Sequence, residues 1–455
     1  MTTVAPHPLW WDGAPVPASR GTEPLPREVD VCIVGGGFTG LWTAYYLAVA
    51  EPSLRILVLE AEHVGFGASG RNGGWVSGLW PVSMDVIAAE HGRAAALALQ
   101  AALQDTVDEV GRVAGAEGID CGYAKGGTLC LARGSAQARR ARAYAGHGAS
   151  WGDGTVWLSA AEATERLAGT RVEGATYNPH CARIQPRHLA DGLAAVVRRR
   201  GVTVAEGRRV TSIDAPLVRV AGGWLVRAAK VVRATEAWTA RLPGLRRRVA
   251  PVYSLMVATE PLPTPVWDAI GLRDRETFSD HGHVIVYGQR TADDRIAFGG
   301  RGAPYHWASG IRPAFDEDPS VFETLRTFLR DLLPHLDGAE FTHAWGGPLG
   351  IARDWHPSVG YDESAGVGWA GGYVGDGVAA TNLAGRTLAD LIRGIPSPVT
   401  QLPWVGHRSP AWEPEPLRWL GVNAGLRLAS AADREERITG RPALLGRALA
   451  RLTAH

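Results

Sequence analysis

The chain predicts an α/β fold in two interleaved parts: a parallel sheet flanked by helices, and an α+β part built on an antiparallel or mixed sheet. Three observations carry this. Residues 29–34 form a short apolar run that ends in Gly35-Gly36-Gly37-Phe38-Thr39-Gly40, a G-x-G-x-x-G turn. A helical pattern over 38–50 and a second apolar run over 55–59 follow, and Glu60 closes that run 20 residues beyond Gly40. Glycine-dense stretches recur far apart, at 65–74 and 366–377.

The first stretch reads as strand, turn and helix, a Rossmann-like arrangement. Gly35 allows the tight turn, Gly37 lets backbone approach a phosphate, and Gly40 lets helix and strand pack closely. Phe38 and Thr39 open the helix, whose unpaired N–H groups favour a pyrophosphate. Leu41, Ala44, Tyr45, Leu47 and Ala48 give it an apolar face, and Glu51-Pro52 ends it. Glu60 stands where a carboxylate accepts from a ribose hydroxyl, with Ala61 beside it. The loop Gly67-Ala68-Ser69-Gly70-Arg71-Asn72-Gly73-Gly74 places backbone close to something flat and large. Two such contacts point to FAD rather than NAD.

Farther along, residues 83–114 read as largely helical and 123–132 as a strand. Helices are predicted around 137–145, 160–167 and 187–200, with a strand over 202–205. A hairpin joins 217–220 to 224–227 through Gly222-Gly223. A separate strand is expected over 230–234, then a turn and helix start through Thr235 and Trp238. From 252 the pattern turns to strands, at 252–259, 283–287 and 295–298. Residues 320–333 read as helix, 366–377 as a loop and 378–392 as the last helix of the body. The resulting division is an N-terminal arm over 1–28, a nucleotide domain over 29–82, 186–250 and 355–400, a substrate domain over 83–185 and 251–354, and a helical tail over 401–455.

At 455 residues the chain exceeds one ordinary core. Hydrophobic content of 45% and charged content of 20% are globular values, and a net charge of +1 argues against a nucleic-acid partner. Cys32, Cys121, Cys130 and Cys181 show no metal-type spacing, and no metal is expected; a reducing cytoplasm fits them. No apolar run reaches membrane-spanning length. Trp10 and Trp11 read as pinning the arm onto the body. A basic stretch over 441–452 reads as a surface or subunit-contact helix.

These motifs resemble the D-amino-acid-oxidase-like superfamily of FAD-dependent oxidoreductases, and within it the gamma-glutamylputrescine oxidase branch, over roughly residues 29–395. The resemblance rests on 31–40 with Glu60, on 67–74, and on Gly371-Gly372-Tyr373-Val374-Gly375-Asp376-Gly377 with the helix beginning at Val378. It implies that the second glycine loop passes the isoalloxazine and that Gly372, Tyr373, Gly375, Gly377 and Val378 meet its pyrimidine end. It also implies that Val210 reads the adenine and that Ala234, Thr235 and Trp238 flank the cofactor. One departure stands out. Leu349 occupies the position where amino-acid-oxidising relatives place a carboxylate-clamping arginine, although Asp354, Pro357 and Gly360 match their pattern. A bidentate arginine is the natural carboxylate anchor, so its absence argues for an amine without an α-carboxylate. Arg301 or Arg353 could serve instead.

The chemistry the resemblance implies is hydride transfer from the carbon beside nitrogen to flavin N5, hydrolysis of the imine, and reoxidation by O2 or another acceptor. The substrate is expected to be a small primary or secondary amine. Oxidation of an amino acid or N-methyl amino acid is the alternative, and a non-catalytic flavin-binding protein the second. An alkylamine has a pKa near ~10, so a dry, aromatic-lined pocket favours its reactive neutral form. Tyr253, Tyr305, His306, Trp345 and Tyr373 are candidates for that wall. Lys125 is a candidate cation near N5, and Cys121, Cys181 and His63 are candidates for covalent attachment. The assembly expected is a monomer or homodimer.

Overall fold

The computed structural model describes residues 4–13, 24–444 and 446. Two eight-stranded sheets organise it. In the first, Glu28–Val34 runs parallel between Trp224–Arg233 and Ile56–Leu59; Val367–Gly371 extends one side and Thr203–Ala205 the other. Ser358–Asp362 closes one edge antiparallel. The central strands are near-continuous apolar runs because helices cover the sheet, and Val31, Cys32 and Ile33 have no exposed surface. Phe38–Ala50 and Gly377–Arg393 pack against each other so closely that a Cβ on Gly385 would lie 2.7 Å from the Trp42 backbone.

The second sheet runs Phe341–Ile351, Ala250–Thr259, Ile296–Arg301, Val286–Arg290, Thr277–Asp280, Thr128–Ala132, Gly174–Asn178 and Val156–Ser159. All pairs are antiparallel except Thr277–Asp280 with Thr128–Ala132. Pro319–Leu332 buries Phe322, Leu325, Leu329 and Leu332. A separate core of Leu255, Val257, Phe278, Phe298 and these helical residues forms around it.

Four of the departures from the sequence reading bear on the site. The hairpin strand 224–227 and the strand 230–234 are one element, Trp224–Arg233, whose first half pairs antiparallel with Leu217–Val220 and whose second half is a central parallel strand. The glycine-dense stretch 366–377 contains a strand, Val367–Gly371, since glycine is tolerated where another strand approaches closely. The strand read over 123–132 shrinks to Thr128–Ala132. Phe341–Ile351 is a full strand hidden by Gly346-Gly347-Pro348; Pro348 fits because this is the sheet's edge.

The arm is tied down. Trp10 is buried and its indole donates to the Asn72 carbonyl at 2.8 Å, while Trp11 donates to the Gly70 carbonyl at 3.0 Å. The tail helix is Leu417–Thr439; most of the basic stretch 441–452 lies outside the described residues. Among the described residues no helix is long and apolar enough to cross a membrane.

Glu436 fixes the tail helix to the body through Arg140, at 3.0 and 2.9 Å, and His283, at 3.0 Å. Burial pushes its carboxyl up, but the bonds from Arg140, His283 and the Ala443 N–H overrule this and bring it to about 2. That stability is present above the unfolded carboxyl range and is lost as pH falls toward 2. Glu436→Gln is expected to cost about 2 kcal/mol and to speed tryptic cleavage within 417–439, read by limited proteolysis at pH 7.

Candidate functional site

The two N-terminal glycine loops meet. The Gly65 N–H donates to the Gly36 carbonyl at 3.1 Å, and the Phe38 N–H, at the helix start, donates to the Ser69 hydroxyl at 2.8 Å. Gly35 has φ +115°, and a Cβ there would overlap the Ala234 carbonyl; a Cβ on Gly40 would overlap the Gly35 carbonyl. Strand, helix and the neighbouring strand end are thus in backbone contact around an open turn.

Beside this turn lies a cavity of about 480 Å³. It is lined by Leu59, Glu60, Ala61, Arg209 and Val210, by Gly35, Gly37, Phe38, Thr39 and Gly67–Ser69 of the two loops, and by Leu349, Tyr373, Gly375, Gly377 and Val378. Asn72, Ala234, Thr235 and Trp238 also line it. A helix N-terminus, a carboxylate and an aromatic and apolar group of side chains thus share one hollow, a donor set that fits FAD, and a Cβ on Gly37 would press to 2.8 Å from the Ser69 hydroxyl. Glu60 accepts from the Gly36 N–H at 2.8 Å and the Glu62 N–H at 2.9 Å, and burial pushes its carboxyl up.

Other predicted site residues take different places. Arg71 donates to the Phe66 carbonyl at 2.7 Å and the Gly346 carbonyl at 2.9 Å, and pairs with Asp316 at 2.7 Å, bolting the loop to the second sheet. Trp345 is buried and donates to the Arg71 carbonyl at 2.9 Å. Tyr253 is buried edge-on against His306 and Phe315, and His306 stacks on Phe315. Tyr305 is buried, with its hydroxyl on Glu415. None of these lines the cavity, nor do Gly40, Gly73, Gly74, Cys121, Cys181 and His63. Gly372 lines a second cavity instead. Lys125 is held by Asp108 at 2.6 Å, away from the cavity, because the strand it was placed on starts only at Thr128. Arg301 donates to the Val374 carbonyl, and Arg353 is taken by Glu413 at 2.9 Å, so neither lines the cavity as a carboxylate clamp.

Sequence reasoning missed Glu236 and Arg241, which both line the cavity. Arg241 donates to the Ile311 carbonyl. Glu236 accepts from the Gly350 N–H at 2.7 Å, and burial without a facing cation pushes its carboxyl up to about 7. Its φ of +42° is a left-handed conformation that costs a non-glycine residue energy. The signal was a carboxylate in the turn after a central strand. Tyr373 shares a hydrogen bond with Thr39 at 3.0 Å, which closes the cavity between the first helix and the C-terminal loop. Burial pushes its phenol up.

Residues 30–391 match the family model described as DAO, FAD dependent oxidoreductase. The gamma-glutamylputrescine oxidoreductase of Escherichia coli is 32% identical over 372 residues, covering 80% of this chain and 84% of that protein. The human mitochondrial sarcosine dehydrogenase is 25% identical over 76% of this chain and 38% of its own length. Among solved structures, glycine oxidase from Geobacillus kaustophilus superposes with a TM-score of 0.66 at 25% identity, covering 82% of this chain and 96% of that one. L-proline dehydrogenase from P. horikoshii gives 0.67 at 20% identity, a likeness of fold.

Two predictions follow from the cavity. Gly40→Ala forces the turn apart and is expected to lower FAD affinity at least about tenfold, a cost of 1.4 kcal/mol, read as flavin absorbance per protein. The carboxyl of Glu236 is raised in the folded state, so its contribution to stability is full below the unfolded value of 4.5 and falls as pH rises through about 7. Because the side chain is only half-buried, Glu236→Gln is expected to flatten that decline by about 2 kcal/mol, seen as a smaller drop in the cofactor-free melting temperature between pH 5 and pH 8.

Proposed function

The chain belongs to this family of FAD-dependent oxidoreductases, and from that premise we propose that it oxidises a small primary or secondary amine lacking an α-carboxylate. Leu349 in the cavity wall carries this reading: an apolar side chain sits where a carboxylate clamp would stand, and Arg301 and Arg353 are committed elsewhere. Bound FAD supplies the two-electron acceptor for cleavage of the C–H bond beside nitrogen. The protein's part is placement and desolvation. The helix start at Phe38 and Thr39 would hold the diphosphate, Glu60 the ribose and Val210 the adenine, and Gly67–Ser69 and Tyr373 would hold the ring system.

The apolar wall of Leu349 disfavours an ammonium ion, and the Glu236 carboxylate, held by the Gly350 N–H, takes the proton the arriving amine must lose. The relatives that act on gamma-glutamylputrescine, sarcosine and glycine are consistent with a small amine substrate. O2 or another electron acceptor completes turnover. We further propose the domain division set out above, a cytoplasmic location suited to four free cysteines, and a monomer or homodimer.

A second reading rests on Arg241. This cation lines the same cavity, and it would anchor the carboxylate of an amino acid or N-methyl amino acid. Anaerobic mixing of the holoenzyme with alkylamines, gamma-glutamylated amines and sarcosine-like acids separates the two, because bleaching of the flavin requires a substrate. Bleaching by amines that carry no α-carboxylate is expected. Bleaching by sarcosine-like acids alone, abolished in Arg241→Met, would establish the second reading, and no bleaching by any amine would point to a non-catalytic flavoprotein. Leu349→Arg is expected to lower kcat/KM for the best carboxylate-free amine at least about tenfold, a loss of 1.4 kcal/mol, and to improve it for a carboxylated one.

A further inference from the structure

A second cavity, of about 250 Å³, opens on the other side of the same strand ends. Its walls include Arg233, Arg248, Arg408, His407, Asp362 and Glu236. Arg233 is the last residue of the central strand Trp224–Arg233 and is mostly buried. Among the described residues, neither its side chain nor that of Arg248 has a carboxylate or hydrogen-bond partner. The groups acting electrostatically on Arg233, after burial itself, are two more cations, Arg248 and Arg408, and together they hold its guanidinium down to about 10.

The acids in this region are already engaged. Asp362 accepts from the Ser364 hydroxyl and the Ala365 N–H and faces Arg408 at 3.8 Å. Asp354 is paired with His407 at 2.8 Å, and Glu236 is turned to the Gly350 N–H. Arg408 also lies over the Trp369 ring at 4.5 Å, which fixes it near the rim. A guanidinium withdrawn from water without a counter-charge is costly, and three arginines that converge on one hollow make a net positive lining. Planar, forked donors of this kind suit the oxygens of a phosphate or carboxylate.

We propose that this cavity is a binding site for a small, doubly charged oxyanion, separate from the FAD cavity, with Arg233 at its base and Arg248 and Arg408 at its rim. The site takes a phosphate group or a dicarboxylate of similar size. Glu236 lines both cavities, so the two sites share a wall.

The test uses the FAD-loaded protein. Inorganic phosphate and malonate are titrated separately, and the melting temperature is followed against sodium chloride at matched ionic strength. The expected result is a saturable rise with at least one of the two anions, with phosphate against malonate telling the chemistry of the preferred ligand. Arg233→Met should weaken that apparent affinity at least tenfold with the flavin spectrum unchanged. Arg248→Met, on the exposed rim, tests the same point without touching a buried residue and should weaken it severalfold. A response to both anions no larger than that to chloride overturns the proposal, as does full retention of the response in Arg248→Met.

Discussion

The site depends on the docking of one glycine loop onto another. The start of the first helix leaves N–H groups that nothing in its own helix can satisfy. Ser69 takes the Phe38 N–H and the Gly36 carbonyl takes the Gly65 N–H, so the second loop is held by the turn that opens the first helix. From there the loop reaches outward. Its Asn72, Gly70 and Arg71 carbonyls accept indole N–H bonds from Trp10, Trp11 and Trp345, and the Arg71 side chain spans to Asp316 and Gly346. The arm, the parallel sheet and the second sheet are therefore all referenced to one short stretch of backbone. Residues with large aromatic or charged side chains there serve position, and the backbone between them is left to face the cavity.

Charge is distributed along that cavity in a definite way. Its wall includes Glu60 and the ion pair of Arg209 with Glu62 at 2.6 Å. Glu236, Tyr373 and Leu349, the last from the strand Phe341–Ile351, also line it. Burial raises the carboxyls of Glu236, Asp316 and Asp376, the last two to about 6, and in each case the opposing attraction of an arginine is absent or too weak to reverse it. Negative charge is thus disfavoured at Glu236 in the cavity wall and at Asp316 and Asp376 in the protein around it.

Much of the architecture was legible because it is local. The turn at Gly35–Gly40 announces itself through spacing, and the helix over 38–50 through its apolar face and its Pro52 stop. The candidates that do not line the cavity share a cause: their side chains are placed by distant partners. Arg71 and Trp345 lie beside cofactor-type motifs, yet their bonds to Asp316, Gly346 and each other could be known only once the sheets were apposed. Lys125 lies in a stretch that reads as strand, but Asp108, 17 residues earlier, decides where it points. Trp224–Arg233 changed identity midway, from hairpin to central strand, and no periodicity marks that switch. Glu236 carried the opposite problem. Its position after Thr235 was read as a turn, and only the approach of Gly350 from the other sheet shows that the carboxylate is turned inward.

The end of Trp224–Arg233 shows how one backbone serves two hollows. Successive residues of a strand face opposite sides, and here that alternation continues past the last ladder pair. The Ala234 carbonyl presses on Gly35 and so shapes the FAD turn, whereas Arg233 belongs to the basic cavity. Two residues on, Glu236 adopts its left-handed backbone and comes to wall both. The Arg233 side chain and the Ala234 carbonyl leave the strand end on opposite sides, so replacing that side chain leaves the contact on Gly35 in place. Residues 233–236 thus wall two separate hollows, and Glu236 is the side chain the two share.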